Sequence, residues 1–112
     1  VTLAIDSWCF GERKHDANGH RGEEDAFKEM LWRGRTLWGM MMFDEYRAFQ
    51  YLAARPAVDP TKLGAFGMSM GSTKAWWLGA LEPKVRLTMD VCCLTDYESL
   101  LAAHGLPNSR AL

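Results

Sequence analysis

Among the residues that could do chemistry, Ser69 has the most suggestive surroundings. It stands in Gly67-Met68-Ser69-Met70-Gly71, where a short apolar run meets a stretch that reads as a helix. A serine hydroxyl becomes a nucleophile when a base takes its proton and a third group orients that base. Its oxygen must also project clear of the backbone. A G-x-S-x-G at a strand-to-helix junction meets that need, because the serine takes a strained conformation that aims Oγ off the sheet end. Side chains two residues to either side would strike neighbouring backbone, and Gly67 and Gly71 remove them. The helix that follows leaves its first N–H groups without partners. The Met70 N–H is then placed to meet a developing oxyanion, helped by the helix dipole.

Partners for Ser69 are harder to find. Asp96 and His104 read as the two ends of one helix, about 12 Å apart along its axis, which is too far to act together. Asp90 reads as a polar group at a strand end. His15 and His20 flank Asp16 in a loop. A metal site there is weighed against a solvated loop, and the solvated loop is the better reading. Arg13, in the same loop, either touches substrate or pairs with a carboxylate that holds the loop, the second being preferred. Trp32, Trp38, Trp76 and Trp77 suggest carbohydrate stacking. Trp76 and Trp77, however, fall on the helix after Ser69, where packing explains them better. Cys9, Cys92 and Cys93 match neither a zinc spacing nor a disulfide framework. They read as buried free thiols, which favours a reducing, cytoplasmic compartment. A signal peptide ahead of Val1 stays open.

The elements that must position Ser69 follow from local pattern. Residues 1–6 read as a buried strand. Residues 6–22 have no period and read as a long loop, of the kind that often carries function. A short helix spans 23–32 and is interrupted by Arg33-Gly34-Arg35. Thr36 caps a long helix over 37–55, with Met42, Tyr46, Phe49 and Ala53 on one face and Asp44, Arg47 and Gln50 opposite. Pro56 ends it. A strand over 62–66, a helix over 70–81, a strand over 85–91 and a helix over 96–104 follow. Thr95 is a candidate cap for the last helix and Gly105 its C′ residue. The order β-α-β-α-β-α predicts an α/β protein with three parallel strands and crossover helices.

The totals bound the function classes. The chain has 112 residues, 48% of them apolar and 24% charged, enough apolar surface to fold as one small domain. A formal net charge of -1 gives no electrostatic case for nucleic acid or an anionic membrane as partner. No apolar run approaches the roughly 18 residues of a membrane span.

The segment LWGMMMFDEYRAFQYLAARPAVDPTK followed by LGAFGMSMGSTKAWWLGAL resembles the core of an α/β-hydrolase. It is most similar to the dienelactone hydrolase and acetyl xylan esterase-like branch. There a long helix, a V-D-P-x-(K/R)-(I/L)-G connection and a G-x-S-x-G elbow follow one another. The opening IDSWCFGER is similar to that branch's strand-then-loop segment, and residues 1 to 104 fall under the resemblance. Ser72 departs from it, since a second Gly is common there. The resemblance implies a partial α/β-hydrolase fold, with 1–112 the central portion of a single domain. It implies a serine esterase acting on a small-molecule ester without cofactor or metal, with Ser69 as nucleophile.

The same resemblance implies that the triad acid and base come from loops after later strands. That leaves Asp96 and His104 unused despite their suitable order in the chain. The second oxyanion N–H is expected from a loop before Val1. A further strand is expected between the first strand here and the one before Ser69, so the 112 residues alone would have a gapped sheet and no activity. Two other readings remain: a prolyl-oligopeptidase-like serine peptidase, and a non-catalytic relative used for binding or assembly.

Overall fold

The computed structural model describes residues 1–14, 20–93 and 96–105 (backbone alone for residues 20 and 21). His15, Asp16 and Thr95 lie outside the described residues. Helix α1 (His20–Trp32) and helix α2 (Leu37–Ala53) come first. Strand β1 (Gly64–Met68), helix α3 (Met70–Leu81), strand β2 (Leu87–Val91) and helix α4 (Tyr97–Ala102) follow.

Each boundary has a local cause. α1 stops because Gly34 takes a left-handed φ of 67°. The Gly34 N–H then reaches the Leu31 carbonyl at 3.0 Å and the Arg35 N–H reaches that of Met30 at 2.8 Å, closing a Schellman motif. α2 starts where the Thr36 hydroxyl accepts the Gly39 N–H at 3.0 Å, as the sequence predicts. β1 begins two residues later than expected. Asp59 accepts both the Thr61 N–H and hydroxyl, at 2.9 and 2.6 Å, an Asx turn that keeps residues 59–61 out of the ladder, and the Leu63 carbonyl then accepts the Arg86 N–H at 2.8 Å just before Gly64. At the end of α4, His104 and not Gly105 takes the left-handed conformation, with φ 49°. Gly105 sits one residue further on and donates to the Leu100 carbonyl at 2.8 Å.

β1 and β2 run parallel in register from Gly64↔Leu87 to Met68↔Val91, and α3 is their crossover. Alternation gives this sheet two unlike faces. Ala65, Gly67 and Thr88 turn toward α3, whose Gly79 lies so close to Thr88 that a Cβ there would meet its Cγ2 at 2.5 Å. Phe66, Met68, Leu87, Met89 and Val91 line the other face and are 40–69% exposed.

The core lies on the α3 side. Met42 and Phe49 of α2 pack with Leu63 and Leu78. A second cluster joins Leu37 and Met41 of α2 to Ala26 of α1 and to Cys9. Full burial of such side chains contributes about 1.5–3 kcal/mol each.

The sheet corrects the strand count expected from the sequence. Residues 1–7 form no ladder, because no strand among the described residues lies beside them. A cleft of about 460 Å³ is instead lined by Val1–Ile5 and by Gly64–Phe66. Among the described residues the sheet has two strands.

Candidate functional site

Ser69 occupies the junction between β1 and α3, with φ 55° and ψ -122°. That ψ lies outside even the left-handed helical region, so the residue is strained. The strain is held on both sides. The Ser69 N–H donates to the Val91 carbonyl at 2.9 Å, tying it to the end of β2. The Ser69 carbonyl accepts the Thr73 N–H at 3.2 Å, the first bond of the α3 ladder. The Met70 N–H precedes that bond and so stands outside the ladder. Ser69 is exposed, its Oγ caps nothing, and no hydrogen bond joins that oxygen to another described residue.

The two glycines have different roles. A Cβ on Gly67 would stand 1.9 Å from the Gly71 carbonyl oxygen and 2.5 Å from the Ser72 nitrogen, so the turn closes only without one. A Cβ on Gly71 would meet nothing within 4 Å among the described residues. By the motif alone both glycines have the same task. Gly71 contributes a backbone carbonyl that Gly67 must clear, and its own missing side chain relieves no clash here. Ser72, at the departure from the usual glycine, is fully buried, and its hydroxyl finds no partner among the described residues.

The other candidates fall as follows. Asp96 is the N-cap of α4: its carboxylate accepts the Ser99 N–H at 2.7 Å and the Ser99 hydroxyl at 2.9 Å. Those bonds, the backbone N–H first, hold its pKa below the usual carboxylate range. His104 is exposed at the far end of α4. The two residues thus stand at opposite ends of one short helix. Asp90 is exposed on β2, opposite Gly67.

Arg13 pairs with Asp44 of α2 at 2.7 Å and lies over the Trp8 ring at 5.0 Å. Asp44 also accepts the Trp8 indole N–H at 2.7 Å. The face of α2 expected to meet solvent at Asp44 is therefore covered by the loop. Trp76 and Trp77 stack on each other at 5.5 Å, and Trp77 joins the core. Cys9 is buried, and burial first, then the Glu23 charge, pushes its thiol pKa up. Cys92 and Cys93 are exposed, contrary to the expected burial, because they follow the last ladder residue of β2. Among the described residues no group of acidic, His or Cys side chains is arranged to hold a metal ion. No helix among them is long and apolar enough to cross a membrane.

Lys74 belongs to no motif in the sequence, yet it lies at the meeting of three segments. Its side chain is 7% exposed, although α3 is otherwise apolar or small around it. It pairs with Glu45 of α2 at 3.0 Å and hydrogen-bonds the Ser7 hydroxyl. A hollow of about 230 Å³ is lined by Lys74 and Ser7 together with Met70 and Gly71, the two residues after Ser69. The signal was in the sequence: a lysine set in an apolar helix needs a buried acid, and α2 offers one. A larger hollow of about 950 Å³ includes Pro60, Thr61, Lys84 and Arg86. Those residues precede β1 and β2, so it opens at the sheet end opposite Ser69.

No family model matches the chain. No solved structure matches it significantly. One curated relative is 40% identical over 104 residues, which is 93% of this chain: the Bacillus subtilis (strain 168) protein named "Putative hydrolase YtaP". The chain spans about a third of that relative's length, 33%.

Proposed function

We propose that this chain carries the nucleophile of a serine hydrolase, with Ser69 attacking a carboxylic ester. The backbone of Ser69 carries the reading. A serine with φ 55° between a parallel strand and a helix, in a turn where Gly67 tolerates no Cβ against Gly71 and Ser72, is the geometry a nucleophile elbow needs. The similarity to a relative named as a hydrolase supports the reaction class. The resemblance to the dienelactone hydrolase and acetyl xylan esterase-like branch supports an ester over a peptide.

In this reading Ser69 Oγ adds to the ester carbonyl carbon as its proton passes to a base. The carbonyl oxygen becomes an oxyanion and takes a hydrogen bond from the Met70 N–H. The alcohol leaves, and water releases the acyl group from Ser69. The acid and base are assigned to no described residue.

Fluorophosphonate labelling of the full-length polypeptide tests the proposal. Stoichiometric modification at Ser69 is expected, together with hydrolysis of a short-chain aryl ester. Ser69→Ala should abolish both, a loss on the order of 10⁴-fold or more. An unlabelled Ser69 in folded protein would count against catalysis and favour a binding or assembly role.

A further inference from the structure

We propose that Lys74 is a positioning residue that couples the Ser69 turn to the loop Asp6–Arg13, a proposal that rests on Ser69 being the nucleophile. Lys74 lies in the first half of α3, whose ladder begins at the Ser69 carbonyl. Its ammonium is buried between Glu45 of α2 and the hydroxyl of Ser7. Three separate segments therefore meet at one cation.

The loop end of this contact is well organised. The Asp6 carboxylate accepts the Glu12 N–H at 3.0 Å, and Arg13 donates to the Asp6 carbonyl at 3.2 Å. Arg13 and the Trp8 indole both converge on Asp44. Asp44 and Glu45 are neighbours on α2. One holds Trp8 and Arg13; the other holds Lys74, which reaches Ser7. The loop is thus fixed to α2 by Asp44 and to α3 by Lys74.

A buried ion pair is a poor source of stability, since packed apolar residues of similar volume would do as well or better. What it supplies is direction. Charge-assisted hydrogen bonds fix the distance between α3 and the loop more tightly than apolar contact does. That distance sets the width of the hollow lined by Met70, whose N–H is the proposed oxyanion donor next to Ser69. Acyl transfer is sensitive to it, because a shift of about 1 Å in the reacting groups can cost about 100-fold in rate.

The test compares Lys74→Met, Lys74→Arg, Ser7→Ala and Ser69→Ala in the full-length polypeptide. Two readouts are taken: the second-order rate of fluorophosphonate labelling per folded molecule, and amide exchange of residues 6–13. Lys74→Met should slow labelling by about tenfold and speed exchange in 6–13. Lys74→Arg, which keeps the charge, should restore labelling to within about threefold. Labelling of folded Lys74→Met at the parent rate, or unchanged exchange in 6–13, would overturn the proposal. Should Lys74→Met fail to fold, Ser7→Ala removes only the loop's hydroxyl, and an unchanged labelling rate there overturns it equally. If the parent protein resists labelling, the nucleophile reading fails by itself, and the exchange data still decide whether Lys74 couples the loop to α3.

Discussion

A Cβ on Gly67 would stand 1.9 Å from a backbone oxygen, whereas one on Gly71 would meet nothing within 4 Å. The two positions should therefore respond differently to the same substitution. Gly67→Ala forces backbone apart at a turn already strained at Ser69, and should cost about 3 kcal/mol or prevent folding. Gly71→Ala lies in the first turn of α3, where alanine also narrows the unfolded ensemble, and should change stability by less than about 1 kcal/mol. Urea denaturation of the two variants decides it; equal losses would mean that the close approach at Gly67 is not what shapes the turn. The motif made the strained strand-to-helix turn at Ser69 legible in the sequence because five consecutive residues carry the strand end, the strain and the helix start. It could not separate the glycines, because their difference depends on which one faces the other's carbonyl. Lys74 was legible as a cation set in an apolar helix, but which groups it meets, Glu45 and Ser7, was not, for a related reason. Their meeting joins three segments distant in sequence, and local pattern holds no record of it.

At the scale of elements, α2 does the most positioning, and its parts can be tested separately. Thr36 caps it through a bond to the Gly39 N–H, and Leu37, directly after, is fully buried against α1 and Cys9. Thr36→Ala should cost about 1 kcal/mol. Leu37→Ala should cost about 2–5 kcal/mol, because a cavity opens where two helices and the loop meet. Chemical denaturation should rank the two in that order, and a larger loss at Thr36 would place the helix's stability in its cap instead of its packing. The helix itself was readable from its cap, the spacing of Met42, Tyr46, Phe49 and Ala53, and the proline beyond it. The polar face was not. Asp44 looked like a solvent group by spacing, yet it holds Trp8 and Arg13, because an irregular loop folds back over it. Residues 1–7 failed in the opposite way. Their composition suits a strand, but a strand exists only beside a partner, and none of the described residues provides one.

For the molecule as a whole, the two sheet faces set the expected behaviour. Parallel sheets are normally covered on both sides, and their strands are apolar on both for that reason. Here α3 covers one side, with α2 packed against α3. The other side presents Phe66, Met68, Leu87, Met89 and Val91 as a continuous apolar surface, with Phe66 directly opposite Met89. The edge of β1 away from β2 borders the cleft instead of a strand. Bare apolar surface of this kind and an unpaired edge both promote association. A polypeptide of these 112 residues alone is therefore expected to bind 8-anilinonaphthalene-1-sulfonate and to elute as mixed oligomers. The double substitution Phe66→Thr/Met89→Thr alters the bare face and the cleft that borders it. It should lower dye binding at least twofold and shift the elution toward monomer, while the far-UV circular dichroism of the helices is kept. A monodisperse parent that binds no dye and melts cooperatively would show that this face needs no cover. The apolar alternation of β1 and β2 would then have to be explained without a second layer.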